Sequence, residues 1–218
     1  MKILLHICCA NCAVYPSHAL RHEGHKLAGL WFNPNIHPYG EYRLRLDSLK
    51  GLADKMRIDI YFLEKYIPRE YFSMFKQVDA DLMHNNCMNG LKGFNNNAKA
   101  IPLSPERCKS CYRLRLEKTA EQASKEGFDA FTTTLLISPF QNFEQITAIG
   151  NKLADKYNVS FYLRDFRPYF RESLTGAKEL GSYMQKYCGC IFSREERLKK
   201  IKNQKSKIKI IESLNFGF

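Results

Sequence analysis

The sequence has no apolar run long enough to cross a bilayer. Its longest stretch without Asp, Glu, Lys or Arg is Ile3–Leu20, and that stretch carries His6, Asn11, Pro16 and His18, which no lipid-facing helix tolerates. Ile3–Ile7 is far shorter than the apolar core of a secretory leader, which sets the expectation of a soluble, cytoplasmic protein without a membrane partner. A glycine-rich phosphate loop is missing after the first apolar run. Cys8, Cys9 and Cys12 stand in its place, so nucleotide binding there is disfavoured. Apolar residues are not lacking: they make up 44% of 218 positions, enough for a sizeable core, and this excludes both disorder and a small stapled scaffold.

Acidic residues are in deficit. Lys and Arg number 34 against 22 Asp and Glu, a formal charge of +12 that favours a polyanionic partner, most often nucleic acid. Part of the surplus sits in a basic C-terminal extension, residues 194–218, and the rest on the main body, residues 1–193, read as a single domain.

The eight cysteines are unevenly placed. Cys8, Cys9 and Cys12 cluster, Cys108 and Cys111 form C-x-x-C, and Cys188 and Cys190 form C-x-C, leaving Cys87 alone. Without a secretory signal, such clustering points to metal or redox chemistry and to thiols free of disulfides.

Periodicity gives an α/β pattern. Strands are expected at Lys2–Ile7, Lys26–Phe32, Ile58–Leu63, Phe128–Leu136 and Val159–Leu163. Helices are expected at Val14–Glu23, Glu41–Met56, Ile67–Lys76, Tyr112–Glu126 and Gln141–Tyr157. Asp81–Ala100 reads as a loop or insert, Ile101–Pro105 as extended because of its prolines, and Pro168–Lys200 as helical with Cys188-Gly-Cys190 in a turn. The fold class is therefore α/β, a five-stranded parallel sheet with helices on both faces and a helical, cysteine-bearing C-terminal part.

In such a sheet the crevice lies beyond the carboxyl ends of the strands. Cys8, Cys9 and Cys12 follow strand one, Asn33 and Asn35 strand two, and Thr132–Thr134 and Ser138 strand four. Cys108-x-x-Cys111 is expected just before a helix, whose N-terminal amides favour thiolates. With Cys188 and Cys190 it supplies four thiolates, a set that suits Zn²⁺ and a [4Fe–4S] cluster alike. Seven clustered thiols exceed what either needs. Side chains alternate along an extended chain, so Cys8 and Cys9 are expected to serve two metals on either side, giving two adjacent centres. His37, at a strand end among polar neighbours, is a candidate proton donor or substrate contact. Arg107, Arg113 and Arg115 surround the C-x-x-C pair with Tyr112 between them, and Arg164, Arg167 and Arg171 are interleaved with Phe166, Tyr169 and Phe170. Arginine forks fit phosphate and aromatic rings stack on unpaired bases, as single-stranded RNA loops require.

Five runs together resemble the QueH-type epoxyqueuosine reductases: Leu5-His-Ile-Cys-Cys-Ala10 with Cys12; Phe32-Asn-Pro-Asn-Ile-His-Pro38 with Glu41-Tyr42; Arg107-Cys-x-x-Cys-Tyr-x-Leu-Arg-Leu116; Phe131-Thr-Thr-Thr-Leu-Leu-Ile-Ser-Pro139; and Tyr187-Cys-Gly-Cys-Ile-Phe-Ser193. They run in order through nearly the whole chain to Ser193. The resemblance implies a Rossmann-like fold of the PP-loop (HUP-related) kind without its phosphate loop, a [4Fe–4S] cluster and a mononuclear iron. It implies deoxygenation of epoxyqueuosine to queuosine at the tRNA wobble position. The chain departs from the family pattern at Asn11, where proline is usual, and at Cys12, where relatives can carry aspartate.

On this reading Cys8, Cys9, Cys12, Cys108, Cys111, Cys188 and Cys190 hold the metals. His37 and Tyr112 are the candidate proton donors. Asn33, Asn35, Arg107, Arg113, Arg115 and Ser138 contact the substrate anticodon loop. The electron donor is unidentified. An iron–sulfur tRNA thiolation enzyme would need an ATP-binding Ser-Gly-Gly loop, which the sequence lacks. A zinc-stabilised RNA-binding protein needs four thiolates and leaves three unexplained.

Overall fold

A computed structural model describes residues 1–75, 80–88 and 104–215, with side chains through residue 204 apart from those of 82, 104 and 105. Five strands form one parallel sheet: β1 (Lys2–His6), β2 (Lys26–Trp31), β3 (Ile60–Phe62), β4 (Ala130–Thr133) and β5 (Ser160–Phe161), in the order β3-β2-β1-β4-β5. This is the doubly wound order, in which the chain reverses direction across the sheet between β1 and β4. Leu5 of β1 pairs with Gly29 of β2 and with Thr132 of β4. β1 is central and covered on both faces, which is why it reads as a continuous apolar run rather than an alternating one.

Helices α1 (Ala10–His22), α2 (Tyr39–Met56), α3 (Pro68–Phe72), α4 (Ala80–Met88), α5 (Ser104–Lys125), α6 (Phe143–Tyr157), α7 (Phe170–Glu179) and α8 (Ile191–Asn215) complete the described elements. α1 packs on α2 and α7, while α5 and α6 pack together, α5 against β1 and β4. Right-handed crossovers place these two groups on opposite faces. Leu116, Ala120 and Ala123 of α5 and Ile146, Ile149 and Leu153 of α6 bury against Ile3, Leu4 and Phe131. Leu46, Leu49 and Leu52 of α2 bury against Leu5, Ile7 and Trp31. Asn142 caps α6, its Oδ1 accepting from Gln145 N at 2.8 Å, in the place where polar side chains stabilise a helix start by about 1 kcal/mol.

Three stretches differ from expectation. α1 starts at Ala10 rather than Val14, so Cys12 lies inside the helix, and Pro16 lies inside it too. The Ser173 hydroxyl of α7 is inserted into the helix ladder, donating to Asn11 O at 2.7 Å and accepting from Tyr15 N at 3.1 Å. α5 starts at Ser104, eight residues before the expected Tyr112, because Pro105 is accepted in a first turn where its missing N–H has no helical partner. α4 is a helix within the stretch read as a loop: Met83 and Cys87, four apart on one face, bury against Tyr71, Phe72 and Phe75. The remainder of that expected insert, and Ile101–Leu103, lie outside the described residues.

Close packing of α6 on β5 needs Gly150, where an added Cβ would lie 2.4 Å from the Phe161 ring. Gly150→Ala should lower stability, since overpacking of about 1–3 kcal/mol outweighs a helix-propensity gain of about 1 kcal/mol. Gly51→Ala, in α2 with open space around it, should instead raise stability by up to about 1 kcal/mol. Urea midpoints moving in the same direction for both variants would contradict this packing.

Candidate metal centre

The first thiol group is built where the chain leaves β1 for α1. Cys8 N donates to Thr134 Oγ1 at 3.0 Å, and that hydroxyl reaches Cys8 Sγ at 3.2 Å, tying the turn to the end of β4. Cys9 is the N-cap of α1 with extended backbone, φ −172° and ψ 162°, and Cys12 sits in the first turn. The three Sγ atoms lie within 4.8 Å of one another, and those of Cys8 and Cys9 are 3.7 Å apart. Two thiolates on one tetrahedral ion with bonds of about 2.3 Å stand about 3.8 Å apart. Cys8 and Cys9 therefore converge, contrary to the expectation that they serve separate metals. Alternation of side chains holds within a strand, and Cys8 and Cys9 lie beyond β1, in the bend that leads into α1.

The trio shares its protons unequally. Thiol hydrogen bonds from Cys12 and Cys8 hold Cys9 well below the usual thiol value despite its burial, and Arg45 adds to the effect. Cys12 is held well above it by hydrogen bonding to Cys8 and Cys9 and by burial. Cys8 lies at about 11: the Cys12 hydrogen bond lowers it, but the Cys9 hydrogen bond and burial together prevail. Gln185 Nε2 approaches Cys9 Sγ at 2.8 Å, and Asn11 Nδ2 donates to Gln185 Oε1 at 2.9 Å.

The second group draws on α5 and the loop before α8. Cys108 and Cys111 stand in the second and third turns of α5, beyond the N-terminal amides expected to assist them. The spacing of three puts both on one helix face. Gly189 has φ +114°, and a Cβ there would meet Ile36 at 3.0 Å and Arg45 at 3.1 Å, so only glycine suits this turn. Cys108, Cys111, Cys188 and Cys190 line one cavity of about 310 Å³ together with Arg107, Tyr112 and Arg115. A contiguous cavity of about 510 Å³ is lined by Asn11, Cys12, Ser138, Phe140, Gln185 and, again, Cys188. Cys188 thus borders both.

Two buried guanidinium groups hold this assembly. Arg45 donates to Glu41 Oε1 at 2.8 Å, to Tyr187 O at 2.8 Å and to Cys188 O at 3.1 Å. Tyr183 Oη donates to the other Glu41 oxygen at 2.8 Å. Arg115 is 1% exposed, and although burial opposes its charge, the neighbouring Cys111, Cys188 and Cys8 push its pKa upward. Burial raises Cys111 to about 12 against the pull of Arg115, and raises Cys190 to about 11.

The other expected site residues divide. Tyr112 lines the smaller cavity, donating to Gln141 Oε1 at 2.9 Å and accepting from Asn142 N at 3.2 Å. Ser138 lines the larger. Asn33 is buried and donates to Ile7 O at 2.8 Å, holding the β1 exit. Asn35 is buried, its amide without a hydrogen-bond partner among the described residues. His37 lines neither described cavity. It is caged by Tyr66, Tyr71 and Phe72, and burial lowers its pKa to about 3, so it is neutral. Its backbone N–H donates to Gly189 O at 2.8 Å. Arg113 is exposed and pairs with Glu117, whereas Arg107 is buried and pairs with Glu196. Sequence reasoning missed Glu41, Arg45 and Gln185. The i, i+4 acid–base pair Glu41–Arg45 beside the Phe32–Pro38 run was the available signal for two of them. Cys87 was set aside, yet it is buried in one cluster with Cys111 and Cys190.

All eight cysteines are free thiols, and among the described residues no helix is long and apolar enough to cross a membrane. A family model described as "Epoxyqueuosine reductase QueH" matches residues 3–92 and 77–196. The chain is 32% identical over 199 residues to a curated protein of that description from Dehalococcoides mccartyi, covering 91% of this chain and 96% of the relative. It is 32% identical over 200 residues to one from Thermotoga maritima, covering 91% and 93%.

Two outcomes follow from the buried charges. Arg45→Met leaves Glu41 buried without its partner and should cost the metal-free chain about 3–5 kcal/mol in urea unfolding. Arg43→Met, from an exposed pair one position pair away, should stay within about 0.5 kcal/mol. Equal costs would sink the clamp. Cys111 and Cys190 are raised above the ordinary 9.0 in the folded state, so the folded chain keeps protons that the unfolded chain loses. Their contribution to stability is complete below about pH 9 and is lost as pH rises through about 11–12. The urea midpoint of the metal-free chain should therefore fall over that window, and fall less in Cys111→Ala.

Proposed function

The chain belongs to the epoxyqueuosine reductase QueH family, and from that premise we propose that it removes the epoxide oxygen of epoxyqueuosine at the wobble position of tRNA. It is an oxidoreductase. The observation that carries the finer reading is the pair of contiguous cavities sharing Cys188, one walled by four cysteines and the other reaching Cys12.

The donor sets fit two different groups. The trio's sulfur atoms lie within 4.8 Å of one another, with Cys8 and Cys9 at the spacing of thiolates on one ion, which suits a mononuclear iron. Among the described residues it is the one set of three with ligand atoms so close. Cys108, Cys111, Cys188 and Cys190 are spread around a wider space, which suits a [4Fe–4S] cluster better than a single zinc. When bound, these groups supply single-electron transfer and Lewis acidity toward oxygen. The zinc-stabilised RNA-binding reading leaves the trio without a role.

The reaction consumes two electrons and two protons, and converts the epoxide to an alkene and water. The electrons come from an external donor. The chain's residues bind, orient and supply protons. Tyr112 Oη carries its proton at neutral pH, as a phenol of ordinary pKa does, and it stands at the edge of the thiol-lined cavity as a proton source. Its bond to Gln141 keeps that hydroxyl aimed along the wall. Ser138, Asn11 and Gln185 offer polar contacts to the nucleoside in the larger cavity. His37, buried and neutral, acts instead through its backbone, fixing Gly189 and hence the Cys188–Cys190 turn. Asn33 holds the β1 exit through Ile7 O, and Asn35 is buried beside it in sequence. Arg107 and Arg115 balance thiolate charge, while Arg113 and the basic extension 194–218 on the reductase domain 1–193 are the side available to tRNA phosphates. A tRNA substrate places the activity in the cytoplasm.

Protein purified without oxygen should hold about four sulfides and more than four irons per chain. Cys111→Ser should lose the sulfide. Cys12→Ser should keep it while losing about one iron. A colourless protein with zinc and no sulfide, or sulfide lost equally in both variants, would overturn this division of the thiols.

A further inference from the structure

Phe140 is 82% exposed, more than any other large apolar side chain described. A single exposed apolar residue is ordinary on a protein surface. Its position is not. The ring stands at the rim of both cavities, and Phe170, which lines the larger one, braces it edge to face at 6.0 Å. The turn that carries it is well held. Phe140 N donates to Ser138 Oγ at 3.3 Å, Gln141 N to Ser138 O at 3.2 Å and Asn142 N to Tyr112 Oη at 3.2 Å. The ring is thus presented to water by an ordered loop. Lys186, Arg197 and Lys200 line the same larger cavity.

An aromatic face held out beside a concave site that cations also line has the chemistry to receive an unpaired nucleobase and its phosphates. Bases stack on such rings whatever their identity, while the cations follow the backbone. We propose that Phe140, braced by Phe170, is a stacking platform for a base adjoining the modified nucleotide in the single-stranded loop. It stacks on that base while its neighbour enters the cavity. The inference rests on the tRNA reading given above and adds the residue that grips the RNA.

The test uses the full chain with its metals, purified without oxygen, and an RNA hairpin of the anticodon arm with 2-aminopurine next to the wobble position. Binding to wild type should quench the 2-aminopurine. Phe140→Ala and Phe140→Leu should both lose the quench and bind the hairpin roughly tenfold to a hundredfold more weakly. Phe140→Tyr and Phe140→Trp should restore both. With epoxyqueuosine-containing tRNA, KM should rise more than kcat falls in the Ala and Leu variants. The side chain is exposed, so iron content and circular dichroism should match wild type. A Leu variant that binds as tightly as wild type, or an Ala variant that still quenches, would overturn the platform. So would an equal loss on duplex RNA. Because hairpin binding is read without turnover, the two ideas can fail separately. Normal stacking with no reduction would count against the substrate, and reduction without stacking against Phe140.

Discussion

The Arg45 guanidinium is the contact on which the rest of the centre depends. It is 2% exposed, and it joins Glu41 on its own helix to the carbonyls of Tyr187 and Cys188 and to the field around Cys9, both distant in sequence. A buried cation of this kind gives little net stability, because its desolvation offsets its pairing. What it provides is position. The Cys188–Cys190 turn has no strand or helix of its own, and its place beneath α5 is set by Arg45, by His37 N and by the Tyr71 hydroxyl on Cys190 Sγ at 3.3 Å. Arg115, buried and donating to Cys111 O at 3.2 Å, lines the cavity itself, so two fixed positive charges sit where thiolates will gather. The arrangement is ready for negative sulfur before any metal arrives.

Local patterns made much of the fold legible. The apolar runs of β1 and β2 and the helix–strand alternation together imply a parallel sheet, and the β1–β4 junction appears where its strand order requires. One helix start was hidden because proline was weighed too heavily, for Pro105 falls in a first turn; the start of α1 at Ala10 was hidden because the cysteines after β1 read as a turn. α4 was hidden for another reason. Its polar composition favours a loop, and only packing of Met83 and Cys87 onto α3 makes it a helix.

The grouping of the cysteines was readable, but their division was not. Whether Cys8 and Cys9 point together depends on the dihedrals at a strand-to-helix turn, and residue spacing does not contain that information. The arginines show the same limit. Arg107, Arg113 and Arg115 alternate along α5, so a helical turn sends Arg113 to solvent and the other two inward. Their shared type in a basic sequence pointed to phosphate, whereas burial makes two of them counter-charges for sulfur.

The turn after β1 shows how one backbone serves two chemistries. In dinucleotide-binding sheets this turn is glycine-rich so that phosphate can approach the free amides at the start of the first helix. Here Cys9 is extended, a conformation open to any residue, and no left-handed position separates it from α1. Glycine is therefore not needed at the turn itself, and a side chain can occupy the space a phosphate would fill. The helix start still favours negative charge. With Cys9 as N-cap and Cys12 one turn on, that preference acts on thiolates the chain carries itself. Cys9 is lowered and Cys12 raised, so the helix start favours charge on one sulfur of the pair. Loss of the glycines and gain of the cysteines are then a single change, an anion-binding helix start that holds sulfur instead of phosphate.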